Sequence, residues 1–75
     1  MKISRDTIRV ITINGKHYVV FEGDQIGEVR RWDNGSWLAY TVSFNPQQIG
    51  KSHRTKQQAA EAVIKHVLGT VTYYP

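Results

Sequence analysis

Two Asn-Gly dipeptides, Asn14-Gly15 and Asn34-Gly35, constrain the fold of this chain more than any other feature of its sequence. Each lies between two runs rich in β-branched and aromatic residues, which are typical of strands. A type I′ turn requires a positive φ at both central residues, and Asn and Gly adopt that backbone most readily. The sequence therefore predicts two antiparallel hairpins. The predicted strands are residues 7–13, 16–21, 25–32 and 36–44.

The first hairpin has one apolar face, because directly opposed residues share a face of the sheet. Its opposed apolar pairs are Val10/Val19 and Ile8/Phe21. A three-residue loop over residues 22–24, bulged at Gly23, is predicted to lead into the second hairpin. This loop length sets Val20 beside Ile26 and keeps the apolar faces of both hairpins on the same side.

The second hairpin is predicted to have a two-residue turn at Asn34-Gly35, which places Trp32 opposite Trp37. The face that carries both tryptophans is otherwise polar or small, and we expect it to meet solvent. Its further members are Glu28, Arg30, Ala39, Thr41 and Ser43. The other face is the predicted core face, and it carries Val29, Leu38, Tyr40 and Val42, with Arg31 at its rim.

A helix is predicted to follow a polar loop over residues 47–54. Thr55 is the predicted N-cap, with Gln58 reaching back to complete a capping box. An apolar stripe with helical spacing follows, and Gly69 is the predicted end. The stripe consists of Ala59, Ala60, Val63, Ile64 and Val67.

These elements define an α+β domain, an antiparallel β-meander of three to four strands with one C-terminal helix packed on one face. We expect residues 1–75 to form a single small domain, with residues 70–75 as a loose tail or a short edge strand. The opposite face of the sheet has no predicted element to cover it. Such a face is tolerated if it is polar or if it binds a partner.

The composition narrows the classes of function. The chain has 75 residues, no cysteine and a formal net charge of +4, which favours polyanionic partners on so small a surface. We see no signal peptide and no apolar run that could span a bilayer, so a cytoplasmic location without membrane association is expected.

Catalytic patterns are not found in the sequence. The carboxylates lie in or near predicted turns, and no pair is positioned for acid–base chemistry. His17, His53 and His66 have neither a metal-ligand spacing nor thiolate partners. We therefore expect no enzymatic activity, no metal and no cofactor.

A basic cluster lies just before the predicted helix and in its first turn, where cations oppose the helix dipole. Its members are Lys51, His53, Arg54 and Lys56. Two interpretations are open: the cluster holds an anion together with the helix N-terminus, or it is a solvated loop that happens to be basic.

The exposed tryptophan face also has more than one interpretation. Aromatic side chains interleaved with cations suit the binding of nucleic acid, in a groove or as single strands. The residues predicted to bind nucleic acid are Arg30, Trp32, Trp37, Thr41, Lys51, Arg54 and Lys56. DNA is expected more than RNA. The alternatives are a protein partner or homodimer that buries the same face, and a tryptophan pair that only stabilises the hairpin.

Three segments also resemble a known family: GEVRR at 27–31, SWLAYTV at 36–42 and GKSHRTKQQAAEA at 50–62. They resemble the basic strand, the Trp-led strand and the basic loop with its helix start in AP2-like N-terminal domains of integrases, the arm-type DNA-binding modules. The resemblance spans about residues 27–68. It implies a freestanding phage or mobile-element accessory protein that binds DNA through its sheet. The residues that it implicates are Arg30, Trp32, Trp37 and Thr41, with Lys51 and Lys56 near phosphates.

Overall fold

A computed structural model describes residues 2–32, 34–69 and 71–73, apart from the side chains of Arg5 and Tyr73. The strands are β1 (Lys2–Ile3), β2 (Ile8–Ile13), β3 (Lys16–Phe21), β4 (Asp24–Arg31), β5 (Trp37–Thr41) and β6 (Thr72–Tyr73), and the helix α1 spans Lys56–Leu68. Strands β2 to β5 form an antiparallel sheet in chain order, and α1 packs on β4 and β5. The predicted α+β meander with a C-terminal helix on one face is confirmed.

The first hairpin has the predicted register. Asn14 and Gly15 both have positive φ, at 52° and 79°, as a two-residue turn requires. Val10 lies opposite Val19 and Ile8 lies opposite Phe21. Local turn chemistry is sufficient to specify this part of the sheet.

The connection from β3 to β4 differs from the predicted three-residue loop. It is a two-residue turn at Glu22 and Gly23, with φ of 50° and 86°, closed by the pair Phe21 and Asp24. A positive φ is uncommon for a glutamate, which has no short polar side chain to support it. Residue type therefore does not indicate a two-residue turn at this position.

A bulge compensates for the shorter turn. The pairing of β3 with β4 shifts between Val19 and Val20, so Ile26 is the extra residue in β4. Val19 then pairs with Gly27, which is the register that the longer loop would have given. The prediction that Val20 lies beside Ile26 was wrong, because Val20 pairs with Gln25. Ile26 packs against the core, and both hairpins keep their apolar faces on one side.

The second hairpin has a three-residue loop, and its predicted register was wrong by one residue. The Trp32 N–H donates to the Ser36 carbonyl at 2.7 Å, and the Gly35 N–H donates to the Trp32 carbonyl at 3.0 Å. Gly35 has a φ of 85°, which suits the last position of a three-residue loop as well as a two-residue turn. Arg31, not Trp32, is therefore the residue opposite Trp37.

This shift turns every side chain of β5 to the face opposite the predicted one. Ala39 pairs with Val29 and is fully buried under α1, and Trp37 is half-buried against the same core. Leu38 and Tyr40 lie on the other side of the sheet, away from the helix. The two tryptophans are consequently on different faces.

The predicted N-cap Thr55 and the predicted end at Gly69 are confirmed, but Gln58 reaches back to the N–H of Arg54 and not, as the capping box requires, to that of Thr55. The Gln58 N–H donates to Thr55 Oγ1 at 3.0 Å, and Gln58 Oε1 accepts from the Arg54 N–H at 3.2 Å. At the other end, the Gly69 N–H donates to the Lys65 carbonyl. The buried residues of α1 are Ala59, Ala60, Val63 and Ile64. Val67, predicted to belong to this stripe, is instead 45% exposed.

The predicted polar loop over residues 47–54 runs along the outer edge of β5. The Ile49 N–H donates to the Ala39 carbonyl at 2.7 Å, and Trp37 and His53 exchange two backbone hydrogen bonds at 2.7 Å each. This segment satisfies backbone groups that an edge strand would otherwise expose.

The chain ends meet in a small second sheet, in which β1 pairs in parallel with β6. Residues 70–75 were predicted to form a loose tail or a short edge strand, and β6 lies within this range. Residues 70, 74 and 75 lie outside the described residues. No helix in the described part of the chain is long and apolar enough to cross a membrane.

Candidate nucleic-acid interface

One end of the main sheet collects cationic side chains. At this end β2 and β4 finish and β3 and β5 begin, and the His53 bridge to Trp37 brings the start of α1 to the same place. We call it the basic end; its cations are Lys16, Arg30, Arg31, Lys51, Arg54 and Lys56. The opposite end carries the acidic turn of Glu22 and Asp24, with Asp6 nearby in the same groove as Glu22.

The N-terminus of α1 adds to the positive potential at this end. Its first turn contains no acidic residue, although Asp or Glu there would stabilise the helix. Lys56 is instead the first helical residue, and Arg54 lies just before the cap. Backbone N–H dipoles and exposed cationic residues thus lie at the same end of the helix, which is an arrangement that attracts anions.

The sheet face that is turned away from α1, here the outer face, carries a stacked arginine. The Arg30 Nε donates to Glu28 Oε2 at 2.6 Å, and the Arg30 Cζ lies 4.4 Å from the centroid of the Tyr40 ring. Glu28 itself is only 7% exposed beneath this pair. The guanidinium is therefore held over an aromatic ring by a contact with that ring and by a hydrogen bond to Glu28, a combination that Lys does not reproduce in the same way.

Two shallow grooves flank the stacked pair of Arg30 and Tyr40. The first is lined by Arg30, Lys16, Tyr18, Gln25, Glu28, Thr41, Val42, Ser43 and Pro46. The second is lined by Tyr40, Trp32, Asn34, Leu38, Gln48, Gly50, Lys51 and Ser52. Trp32 is 53% exposed, so its indole offers a flat surface beside the amide of Gln48 and the ammonium of Lys51. Each groove combines an aromatic wall with at least one cation.

Trp37 belongs to a separate cluster on the helix side of the sheet. The Lys56 Nζ lies 5.7 Å from the centroid of a Trp37 ring, and the His17 ring meets Trp37 edge-on with centroids 5.5 Å apart. The Thr12 hydroxyl is 2.9 Å from His17 Nδ1, which fixes the imidazole. Trp37 thus positions Lys56 at the basic end.

His53, predicted as part of the basic cluster, has a structural role through its backbone. Its N–H and carbonyl both bond to Trp37. Its Nε2 is enclosed and has no hydrogen-bond partner among the described residues. The residue as a whole is nevertheless partly exposed.

The structure divides the seven predicted binding residues among four places. Arg30 and Thr41 line the first groove, and Trp32 and Lys51 line the second. Trp37 and Lys56 contact each other on the helix side, and Arg54 is exposed between the loop and the helix. All except Thr41 lie at the basic end. Thr41 is at the other end of β5, where its hydroxyl accepts from the Gln47 N–H at 3.0 Å.

Sequence reasoning missed Tyr40 and Gln48 as groove residues, and Lys16 is a groove residue outside the seven predicted to bind. Tyr40 was assigned to the core because the loop at Asn34 was counted as two residues. The pairing of β3 with β4 explains the position of Lys16. His17 lies opposite Val29, so the next residues of the two strands, Lys16 and Arg30, are neighbours. Gln48 reaches the groove only because its segment runs along β5.

The chain matches no model of a known protein family, no curated protein and no solved structure. The segment that resembles integrase arm-type domains contains most of β4, all of β5 and α1. Within the described residues, no group of three His, Asp or Glu side chains could hold a metal ion.

Proposed function

We propose that this chain is a small, non-enzymatic nucleic-acid-binding domain, with DNA favoured over RNA, that binds through its basic end and the adjoining grooves of the outer face. The observation that carries the proposal is the concentration of six cations at one end of the sheet, next to the exposed indole of Trp32. The acidic residues of the β3–β4 turn are at the other end.

Phosphates and bases would be contacted by different parts of this surface. Lys51, Arg54 and Lys56 surround the helix N-terminus and suit phosphate oxygens, which position a nucleic acid without reading its sequence. In the second groove, the Trp32 indole suits stacking on a base. The Gln48 Nε2 donates to the Gly50 carbonyl at 3.1 Å, which leaves its second N–H and its amide oxygen for a base. The preference for DNA rests on the resemblance to arm-type domains.

A protein partner on the outer face is the second candidate. It is favoured by exposed apolar side chains, including Val42 and Phe44 near the first groove and Ile11 and Ile13 of β2. These residues are spread along the sheet, whereas the cations are concentrated at one end. That concentration is the reason for placing nucleic acid first.

The proposal is tested by the salt dependence of binding. We expect the fluorescence anisotropy of labelled DNA to rise when the protein is added at 50 mM salt. The affinity should fall as the salt concentration rises. Four to six phosphate contacts correspond to a log–log slope of roughly −3.5 to −5.5. Duplex DNA, single-stranded DNA and RNA of equal length show which polymer fits the grooves. Absence of binding at 50 mM salt, or binding that salt does not weaken, would contradict the proposal and favour a protein partner.

A further inference from the structure

Strand β2 is an open edge of the main sheet. The strand order is β2-β3-β4-β5, and the far edge, β5, is covered by the segment at residues 47–53. In the described part of the chain, β2 pairs with β3 alone. One whole side of a six-residue strand is thus left with unpaired backbone groups.

The register shows which backbone groups these are. In a hairpin with a two-residue turn, the residues that flank the turn exchange hydrogen bonds, and bonded and non-bonded pairs then alternate. Ile13, Ile11 and Arg9 therefore bond to β3. The N–H and carbonyl groups of Thr12, Val10 and Ile8 point away from the sheet.

The sequence of β2 has one charged residue, Arg9, and otherwise lacks the usual protections of an edge strand. Natural edges are blunted by proline, by bulges, by lysine or by very short strands. Strand β2 reads IRVITI, with Arg9 as its one charge, and its pairing with β3 is continuous. Ile11 and Ile13 are 36% and 44% exposed on the outer face. An edge of this kind is a template for another strand.

We infer that β2 is an interface between two copies of this chain, which pair antiparallel through their β2 edges and extend the two sheets into one of eight strands. The inference is independent of nucleic-acid binding. It also differs from a dimer that packs the outer faces together, because the contact is made by backbone groups at the edge.

The dimer register follows from hydrogen bonding and charge. With the two-fold axis at Val10, Val10 pairs with Val10 of the other copy, and Ile8 of each copy pairs with Thr12 of the other. This register forms three hydrogen-bonded pairs. An axis one position toward the turn, at Ile11, forms two such pairs. An axis at Arg9 also forms two, and it opposes two like charges. The Val10 register instead sets each Arg9 beside Ile11 of the other copy.

The size of the contact sets the expected affinity. Pairing along one short strand falls in the class of small interfaces, below about 1,200 Å² in total, where complexes are weak or transient. We therefore expect dissociation in the micromolar range. Sedimentation velocity across a protein series from micromolar to about 1 mM covers this range.

Charge substitutions at Ile11 test the register. Ile11→Lys places a lysine beside Arg9 of the other copy, and Ile11→Glu places a carboxylate there, with the same loss of apolar side chain. We expect the Lys variant to dimerise at least tenfold more weakly than the Glu variant, with circular dichroism showing that both remain folded. Equal affinities of the two variants would overturn the inference.

A cysteine cross-link provides a second measurement. The chain has no cysteine, so Val10→Cys introduces one thiol per copy, and the proposed register brings the two Cα atoms to about 5.5 Å, within disulfide range. We expect Val10→Cys to oxidise to a covalent dimer, and Val42→Cys, which is exposed beyond β5, to remain largely monomeric. A native chain that sediments as a monomer throughout, or preferential cross-linking at position 42, would overturn the inference.

Discussion

Replacing Gly27 with alanine is expected to lower the free energy of unfolding by about 2–3 kcal/mol, a large part of the stability of so small a domain. A Cβ at this position would collide with Val63 Cγ1, and it would lie 2.9 Å from Val63 Cγ2 and 3.0 Å from the Tyr40 carbonyl oxygen. Gly27 is buried in β4 directly beneath α1. Helix and sheet approach so closely here that there is no room for a methyl group. Urea denaturation measures the loss.

A double-mutant cycle gives the control for this prediction. Val63→Ala removes the two methyl groups that the new Cβ would meet, at the cost of a cavity in the core. We expect the double variant Gly27→Ala/Val63→Ala to be more stable than the sum of the two single losses implies, by about 0.5–3 kcal/mol. If Gly27→Ala unfolds at the same urea concentration as the native chain, the close packing of α1 on β4 is wrong.

The double charge reversal Lys51→Glu/Lys56→Glu is expected to weaken nucleic-acid binding by about 100-fold at low salt, because it removes two cations and adds two anions at the basic end. Lys56 is the first residue of α1, where a glutamate interacts favourably with the helix dipole. The helix should therefore be stabilised by a few tenths of a kcal/mol while binding is lost. Anisotropy and urea denaturation measure the two effects separately.

The control matched in charge is Lys2→Glu/Lys65→Glu, which changes the net charge by the same amount. Because a glutamate in the last turn of α1 opposes the helix dipole, urea denaturation checks that this variant is folded. Lys65 lies in the last turn of α1, about 13 Å along the axis from Lys56, and Lys2 lies in β1. Both side chains are exposed, and neither is at the basic end. We expect this variant to lose far less affinity. Equal losses in the two double variants would show that total charge, and not the basic end, determines binding.

The first hairpin and the helix could be predicted because their signals are local. The φ values of Asn14 and Gly15 and the hydrogen bonds of Thr55 and Gln58 depend on neighbouring residues alone. The second hairpin was predicted as a hairpin, but its register depends on whether Gly35 ends a two-residue or a three-residue loop. Asn-Gly suits both, so the sequence does not distinguish them.

The sequence predicts which cations belong to the candidate site, but it does not predict how the aromatic residues are arranged around them. The cations before the helix are evident from the sequence, and the structure places them together. The separation of Trp32 from Trp37 follows from the loop at Asn34, and Leu38 is buried on the outer face because a distant segment covers it. The local signal at Asn34-Gly35 does not distinguish the two loop lengths, and the covering of Leu38 depends on how the segment at residues 47–53 returns to β5.

The most direct test of the nucleic-acid proposal is a titration of the ¹⁵N-labelled protein with a short DNA, followed through amide and indole chemical shifts. Shifts are expected at the basic end, from Lys16, Arg30, Lys51 and Lys56 and from the Trp32 indole N–H, while Glu22, Asp24 and Lys65 remain unchanged. An unchanged spectrum at high DNA concentration, or shifts centred on the turn at Glu22 and Asp24, would contradict the assignment of the basic end as the nucleic-acid interface.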